Sequence, residues 1–215
     1  MKYRMPAEFE AQERVWFAWP HRKEDWPGKF APIPYVFAEM LRVISQTQRV
    51  GLIVKDEKAK ETARLILDQA DVKLSMIDFV VAASNRGWMR DCGSIFVTDK
   101  HGEKTALGFG FNAWAKYPNY KLDANLPAVM AKKAKVKLAK PMHKKRHVVL
   151  EGGGIEVNGA GSIIVTEEWL LSDVQVRNPG FTRDDYEAVF AEYLGAPHTI
   201  CWTFPFPAST LQTER

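Results

Sequence analysis

The stretch 94-SIFVTDKHGEKTALGFGF-111 is the strongest indication of the fold. Two apolar runs flank the turn-forming residues 99-DKHGE-103, an arrangement typical of a β-hairpin. A helix candidate follows the hairpin at 124-ANLPAVMAKKAK-135. The same order returns later in the chain, where 147-HVVLEGGGIEVNGAGSIIVTEEWLL-171 predicts a hairpin with at least one irregular turn and 182-TRDDYEAVFAEYLG-195 predicts another helix.

The N-terminal part of the chain predicts strands and helices in alternation. Strands are indicated by 14-RVWFAWP-20, 49-RVGLIVKD-56 and 72-VKLSMIDFVV-81, and helices by 35-YVFAEMLRVISQTQ-48 and 57-EKAKETARLILDQA-70. In the first of these helices, the spacing puts five apolar residues on one face: Val36, Phe37, Met40, Leu41 and Ile44. Helix, strand and hairpin alternate in units of about sixty residues, which predicts an α/β fold of repeated ββαβ units around an axis.

The composition is that of an ordinary globular protein with one sizeable core or two small ones. The chain has 215 residues, of which 46% are hydrophobic and 26% are charged. No apolar run approaches the ~18 residues of a membrane span, and the N-terminus MKYRMPAEFEAQERVW lacks the apolar region of a signal peptide. We therefore expect a cytoplasmic protein without a membrane partner.

Charged and metal-binding residues give little sign of a polyanionic partner or a cofactor. The net charge is +4, and most of the excess lies in 131-AKKAKVKLAKPMHKKRH-147. We interpret this segment as a solvated helix end and loop, because it lacks the interleaved aromatics of a nucleic-acid surface. Neither Cys92 nor Cys201 belongs to a CxxC motif, and the histidines form no HxxxH or HExxH pattern. We therefore expect no nucleic acid, no metal and no cofactor.

Two carboxylates stand out because of their neighbours. Asp91 lies in 86-RGWMRDCGSIFV-97, at the entrance of a predicted strand, and Glu151 precedes three glycines at the end of another. If both point into one cavity, they can bind a planar guanidinium bidentately, with Trp88 stacked on its face. In the alternative interpretation, Asp91 pairs with a neighbouring arginine in a turn and Glu151 caps a bulge.

The two cysteines are weak candidates for a nucleophile. Arg90 could lower the pKa of the Cys92 thiol, but no histidine lies near it in sequence, so a small buried cysteine is the preferred interpretation. His198 and Cys201 are three residues apart, which places them on opposite faces of a strand. The chain has no GxSxG motif, and the glycines after Glu151 lack the spacing of a phosphate-binding loop.

Five motifs of the chain carry a resemblance to a known family: 5-MPAEFEAQERVWFAWPHRKEDWPGK-29, 88-WMRDCGSIFV-97, 109-FGFNAWAKYPNYKLD-123, 149-VLEGGGIEVNGAGSIIVTEEWLL-171 and 177-RNPG-180. Together, and in this order, they resemble the agmatine deiminase family, within the guanidino-group-modifying superfamily of α/β propellers. The resemblance covers residues 1–200. It implies a single incomplete domain that forms part of a five-bladed α/β propeller (pentein), with about three of the five blades.

The resemblance implies hydrolysis of agmatine to N-carbamoylputrescine and ammonia without a metal, a reaction of putrescine and polyamine metabolism. In such enzymes a cysteine thiolate attacks the guanidinium carbon and ammonia leaves. Water then hydrolyses the covalent adduct, with a histidine as acid and base. By motif, Asp91 would be the catalytic carboxylate that holds the guanidinium, and Trp88, Glu151 and Asn112 would bind the substrate.

The chain departs from the family near its end. The family's histidine lies in a DDTDGH-like motif beyond the strand that 199-TICW-202 begins, and its nucleophilic cysteine lies near the C-terminus of a longer chain. The stretch 203-TFPFPASTLQTER-215 has neither, which we interpret as an aberrant, truncated tail. The residues Cys92-Gly93-Ser94 and Trp169 also stand where the family usually has others.

These departures lead to several functional expectations. The first is an agmatine deiminase-like chain without independent turnover, or a peptidyl-arginine deiminase-type relative. The second is a non-catalytic fragment that binds agmatine or arginine, and the weakest is a basic nucleic-acid module that uses Lys132 to Arg146. An incomplete ring would leave strand edges and apolar faces uncovered, so we also expect marginal stability or self-association.

Overall fold

The computed structural model describes residues 2–202, and three small three-stranded sheets carry its fold. In the first sheet all strands are parallel, in the order β1-β2-β3. Its elements are β1 (Val15–Ala18), α1 (Ile33–Ile44), β2 (Val50–Val54), α2 (Glu57–Gln69) and β3 (Ile77–Val81). This unit differs from the predicted ββαβ order, because a helix joins each pair of consecutive strands and makes them parallel.

The second and third sheets share one topology. In each, an antiparallel hairpin is followed by a helix and by a third strand that runs parallel to its neighbour in the hairpin. The second unit consists of α3 (Met89–Cys92), β4 (Ile95–Thr98), β5 (Lys104–Leu107), α4 (Leu126–Ala134) and β6 (Lys137–Ala139). A two-stranded ladder of β7 (Met142–His143) and β8 (Arg146–His147) follows. The third unit consists of β9 (Glu156–Val157), β10 (Ser162–Thr166), α5 (Glu167–Leu171), α6 (Arg183–Val189) and β11 (His198–Trp202). Both units confirm the predicted ββαβ order.

Local turn chemistry explains why the first hairpin forms where the sequence predicts it. Oδ1 of Asp99 accepts hydrogen bonds from the N–H groups of His101 at 2.8 Å and Glu103 at 2.9 Å. Gly102 has a φ of +82°, a left-handed conformation that glycine adopts without a steric penalty. An aspartate that bonds the backbone ahead of it and a left-handed glycine are the usual components of such a turn.

The last helix, predicted over 182–195, begins with a side-chain cap. Thr182 and Asp185 form a capping box, in which each side chain accepts from the other residue's backbone N–H. The helix continues through a π-helical turn at Phe190–Leu194 and ends at Gly195, whose φ is +66°. A Cβ at Gly195 would collide with the carbonyl oxygen of Tyr3, so this end of the helix packs tightly on the N-terminal segment.

The apolar face of α1 is narrower than its sequence predicts. Phe37, Leu41 and Ile44 pack against the first sheet as expected. Val36 is 50% exposed and Met40 is 37% exposed, so the prediction that they belong to the buried face was wrong. At 100° per residue, both fall at the margin of the stripe that the sheet covers.

Among residues 2–202, no helix combines the length and the apolar content needed to cross a bilayer.

Candidate functional site

Asp91 lies in α3, on the segment that joins the first sheet to the second. Each oxygen of its carboxylate accepts one hydrogen bond. Nε1–H of Trp114 donates to Oδ2 at 3.1 Å, and the backbone N–H of Gly153 donates to Oδ1 at 3.1 Å. Arg90 pairs instead with Glu8, so the alternative that Asp91 serves as its ion-pair partner in a turn is wrong.

Glu151 is buried, with 1% of its surface exposed. Nε of Arg177 donates to Oε1 at 3.2 Å. The other oxygen, Oε2, is buried as well and has no hydrogen-bond partner among residues 2–202. Leaving a buried acceptor unpaired costs about 1–3 kcal/mol, and more for a charged group. Oε2 therefore marks a position at which an additional hydrogen-bond donor would be favourable.

The three glycines after Glu151 let the chain pass close to α3. They form a single 3-10 turn, Gly152–Gly154. A Cβ at the first position would lie 2.5 Å from the carbonyl oxygen of Arg90. A Cβ at the second would overlap with the Asp91 carboxylate, and one at the third with the ring of Trp169. Glycine is therefore needed at the first position, and a side chain at the second or third would displace Asp91 or Trp169. The close approach places Asp91 against the segment that carries Glu151.

Burial raises the pKa of the Asp91 and Glu151 carboxyl groups above their ordinary values. At Asp91, the hydrogen bonds from Trp114 and Gly153 oppose this rise, and at Glu151 the charge of Arg177 opposes it. The negative charge of Asp91 further raises the pKa of Glu151, so the two carboxylates lie close enough to interact. Such a pair attracts a cation, and a guanidinium offers it five N–H donors.

Trp88 lies directly before α3, and 41% of its surface is exposed. Its ring stacks on that of Trp26, with the centroids 5.6 Å apart and the planes inclined by 24°. The two indoles form an aromatic surface beside the segment of Asp91, and the role of Trp88 in contacting a substrate stays a prediction.

Asn112 begins the turn that carries Trp114. Its Oδ1 accepts a hydrogen bond of 2.9 Å from the N–H of Ala115, and so caps this turn. The three residues Ala113, Trp114 and Ala115 have φ values of 52°, 59° and 52°, in the left-handed region that residues other than glycine seldom adopt. The structure thus gives Asn112 a capping contact, and its predicted part in substrate binding stays a prediction.

Three side chains of this site were not assigned from the sequence: Trp114, Gln175 and Arg177. Nε2 of Gln175 donates to the carbonyl oxygen of Trp114 at 2.8 Å, and Nη1 of Arg177 donates to the carbonyl oxygen of Gln175 at 2.8 Å. Trp114 and Arg177 both lie in motifs that carry the family resemblance, and this was the available signal. Nothing in the sequence distinguishes Gln175 from an ordinary loop residue.

Neither cysteine has the surroundings of an activated nucleophile. Cys92 is buried, its thiol donates to the carbonyl oxygen of Trp88 at 3.1 Å, and burial raises its pKa far above the ordinary value. Burial also raises the pKa of the half-buried Cys201. No histidine of the described chain hydrogen-bonds to either thiol. The nucleophilic form of cysteine is the thiolate, and a raised pKa disfavours it.

Metal ligands and free basic charge are not concentrated at this site. Over residues 2–202, no three histidine, cysteine or acidic side chains are grouped to hold a metal ion. In the basic segment 131–147, Nζ of Lys144 pairs with Asp185 at 2.7 Å. Arg146 donates to the carbonyl oxygen of Pro179 at 2.7 Å and lies over the ring of Phe181. These contacts use part of the segment's positive charge within the fold. This favours the interpretation of the segment as a helix end and loop over a nucleic-acid surface.

Comparison with known proteins gives one consistent family. The model of a family described as Porphyromonas-type peptidyl-arginine deiminase matches residues 4–205. The agmatine deiminases of Pseudomonas putida and Pseudomonas syringae pv. tomato are 32% and 33% identical to the chain over 205 residues, which is 93% of this chain and 52% of each relative. The chain therefore spans about half the length of the curated relatives it matches.

Solved structures agree with the sequence comparison. The agmatine deiminase of Enterococcus faecalis superposes with a TM-score of 0.81 at 29% identity, covering 94% of this chain and 53% of that one. A substitution variant of the C. jejuni agmatine deiminase with substrate bound gives a TM-score of 0.78 at 27% identity, covering 96% and 57%. Both matches extend over nearly the whole chain. The chain belongs to the Porphyromonas-type peptidyl-arginine deiminase family.

Proposed function

We propose that this chain carries the guanidinium-binding part of an agmatine deiminase-type hydrolase. The observation that supports this most strongly is the buried Oε2 of Glu151, which lacks a hydrogen-bond partner among the described residues. A guanidinium N–H would satisfy this oxygen, and its positive charge would offset the burial of two interacting carboxylates, Asp91 and Glu151.

The reaction is hydrolysis of agmatine to N-carbamoylputrescine and ammonia. Asp91 and Glu151 hold the guanidinium by charge-assisted hydrogen bonds and keep its carbon electrophilic. Trp88 contributes an aromatic surface on which a planar cation can stack. Asn112 begins the turn that carries Trp114, which is hydrogen-bonded to Asp91. No metal or cofactor enters this chemistry.

The covalent step needs a thiolate and a histidine beside the carboxylates. In the described part of the chain, both thiols have raised pKa values, and no histidine hydrogen-bonds to Asp91 or Glu151. We therefore expect residues 2–202 to bind a guanidinium without turning it over. The half-site would then act as a non-catalytic binder until the remaining groups are supplied.

Agmatine is the preferred substrate over peptidyl-arginine. The relatives compared above are named agmatine deiminases, whereas the family description names peptidyl-arginine. This assignment places the chain in putrescine and polyamine metabolism and fits a cytoplasmic location. A peptide substrate would need an open approach for the flanking backbone, which a free small molecule does not require.

The three sheets fit the same proposal as three blades of a five-bladed α/β propeller. Two of them share the ββαβ order, and the glycine turn of the third unit packs on α3 at the start of the second. Residues from successive blades would then meet at the axis, where Asp91 and Glu151 can serve one ligand. Residues 1–200 would form a single domain, and the strand edges left uncovered would favour self-association.

Calorimetric titration of the purified chain with agmatine tests the proposal. We expect measurable binding that weakens by more than about tenfold in Asp91→Asn and in Glu151→Gln, because each removes a negative charge that faces the cation. Asp68→Asn is the matched control, since Asp68 is exposed on α2. Equal affinity in all four proteins, or no binding to the unaltered chain, would contradict the proposal.

A parallel assay measures ammonia release from agmatine. Steady turnover by the purified chain would show that a nucleophile acts within it, and this would overturn the binding-only form of the proposal. Tighter binding of an arginine-containing peptide than of agmatine would instead favour the peptidyl-arginine alternative.

A further inference from the structure

A continuous line of hydrogen bonds connects the two carboxylates of the candidate site. The indole N–H of Trp114 donates to Asp91 at 3.1 Å, and the carbonyl oxygen of Trp114 accepts from the Gln175 side chain at 2.8 Å. The carbonyl oxygen of Gln175 then accepts from Arg177 at 2.8 Å, and Arg177 donates to Glu151 at 3.2 Å. Each of the three residues between the two carboxylates makes two of these hydrogen bonds.

The line closes on itself through the glycine turn. Gly153 follows Glu151 by two residues, and its N–H donates to the second oxygen of Asp91 at 3.1 Å. We call the resulting closed path the carboxylate ring, and its members are Asp91, Trp114, Gln175, Arg177, Glu151 and Gly153. A closed ring of hydrogen bonds restricts the distance between the two carboxylates more than two independent contacts would.

Two members of the carboxylate ring hold strained backbone conformations. Trp114 has a φ of 59° and Gln175 a φ of 54°, and neither is a glycine, an asparagine or an aspartate. Such conformations cost of order 1–3 kcal/mol each and persist where the surrounding contacts require them. Each strained residue is one that presents a donor or an acceptor to the ring.

The ring of Trp114 is also held by packing on other sides. Phe111 lies edge-on at 5.3 Å between centroids, Tyr117 lies edge-on at 6.1 Å, and the guanidinium of Arg86 lies 5.9 Å from its centroid. These contacts use the faces and edges of the ring, and the N–H is left to point at Asp91. A phenylalanine can therefore replace Trp114 with most of its packing kept and only the donor lost.

We propose that Trp114 and Gln175 are positioning residues that fix the orientation of Asp91 relative to Glu151 for guanidinium binding. The role of this orientation in guanidinium binding rests on the function proposed above, but the orientation of Asp91 itself can be tested without a ligand. Trp114 acts directly on the Asp91 carboxylate. Gln175 acts one step further away, because its side chain donates to the carbonyl oxygen of Trp114 and its own carbonyl oxygen accepts from Arg177.

The test follows the indole N–H signals of the whole chain, labelled with 15N-tryptophan, as the pH is changed in the absence of ligand. The Trp114 signal is identified by its loss in Trp114→Phe. In the unaltered chain, this signal should move as Asp91 gains its proton. In Gln175→Met, which removes the donor and keeps the length of the side chain, the signal should shift and its midpoint should rise by about one pH unit, because a weaker bond from Trp114 stabilises the carboxylate less.

Gln46→Met is the matched control, because Nε2 of Gln46 also donates to a backbone carbonyl, that of Arg42 at 3.0 Å, on an exposed helix end. It should leave the Trp114 signal and its midpoint unchanged. Gln175→Gly adds a second criterion, since it removes the donor but relieves the left-handed strain. If it unfolds at an unchanged or higher temperature while the Trp114 midpoint rises, the role of Gln175 is positioning.

The outcomes separate this inference from the proposed function. A Trp114 signal that keeps its position and midpoint in Gln175→Met overturns the positioning role, whether or not agmatine binds. A shifted signal in a chain that does not bind agmatine supports the carboxylate ring and contradicts the guanidinium-binding function alone.

Discussion

The backbone N–H of Gly153 donates a hydrogen bond of 3.1 Å to Oδ1 of Asp91, across 62 residues of sequence. It joins the glycine turn of the third unit to α3, the helix that begins the second unit. A Cβ at this position would overlap with the oxygen that accepts the bond. The hydrogen bond and the need for glycine therefore have one cause, the close approach of backbone to carboxylate.

Gly153→Ala should displace the Asp91 carboxylate and weaken agmatine binding by more than about tenfold. The added methyl group should also lower the free energy of unfolding by about 1–3 kcal/mol, as overpacking of a tight contact does. Calorimetry and urea denaturation measure the two effects. Gly87→Ala is the control, because its Cβ would lie 3.5 Å from the nearest atom, the carbonyl oxygen of Ala18, in ordinary contact. Unchanged agmatine affinity in a folded Gly153→Ala protein would contradict this reasoning.

Arg177→Met should destabilise the chain by about 3–5 kcal/mol, because it leaves the buried Glu151 carboxylate without its cation. The side chains of this pair are 10% and 2% exposed, so solvent screens the interaction little. Burial already raises the pKa of Glu151, and losing Arg177 raises it further, so ionising Glu151 in the folded state becomes more costly. The loss should therefore grow as the pH rises from 5 to 8.

Urea denaturation at several pH values measures this loss, and adding Glu151→Gln to Arg177→Met should recover part of it. The control is Arg64→Met, since Arg64 pairs with Glu61 on the exposed face of α2 at 3.7 Å with side chains 55% and 63% exposed. Such a pair contributes less than about 1 kcal/mol. A loss in Arg177→Met that does not depend on pH would count against a buried, ionisable Glu151.

Agmatine binding should weaken as the pH falls, and should begin to do so at a higher pH than the ordinary values for Asp and Glu, about 3.9 and 4.3, would give. The reason is that burial raises the pKa of Asp91 and of Glu151, and a protonated carboxyl group no longer attracts the cation. Titrations from pH 8 to pH 4.5 measure the effect. Asp91→Asn should flatten the profile because one titrating group is gone. A constant affinity over this range would exclude both carboxyl groups as the binding charge.

The outer face of α1 should support self-association of the chain. Tyr35, Val36 and Val43 lie on it and are 63%, 50% and 57% exposed, which is unusual for apolar side chains on one helix. Sedimentation velocity should show a coefficient that rises with protein concentration, and the double variant Val36→Lys/Val43→Lys should remove the dependence. Leu65→Lys, at a position 59% exposed on α2, is the control. Loss of association in this control alone would place the contact on α2.

The parts of the fold that depend on local chemistry were predictable from the sequence. The turn after Asp99 and the helix over 182–195 lie where they were expected, because the turn, the capping box at Thr182 and the closing Gly195 each depend on a few neighbouring residues. The parallel first sheet was not predicted, since strand direction depends on the path of the connections and not on the strands themselves. The exposure of Val36 was also missed, because helical spacing defines a face but not how much of it a sheet covers.

The residues of the candidate site also differ in whether the sequence could predict them. Asp91 and Glu151 could be proposed because each stands beside unusual neighbours in sequence. Gln175 could not, because its contact with Trp114 spans 61 residues and no pattern predicts a left-handed glutamine. Arg177 could be noted within a motif, but its pairing with Glu151 depends on how two loops approach each other in the folded chain.

Asp185→Asn should lower the urea midpoint at pH 7, and the difference from the unaltered chain should shrink in acid. The Asp185 carboxylate accepts from Nζ of Lys144 at 2.8 Å and from the N–H of Thr182 at 2.9 Å, and it lies 2.8 Å from Nε2 of His143. These contacts hold its pKa well below the ordinary value.

A carboxyl group with a lowered folded pKa stabilises the protein above its unfolded pKa of about 3.9, and this contribution is lost as the pH falls below it. The urea midpoints of the variant and the unaltered chain should therefore differ at pH 7 and should approach each other gradually as the pH falls from about 4 toward the lowered pKa of folded Asp185. Asp184→Asn, at the exposed neighbouring position, should show little difference at either pH, and a gap for Asp185→Asn that persists in acid would assign the effect to shape instead of charge.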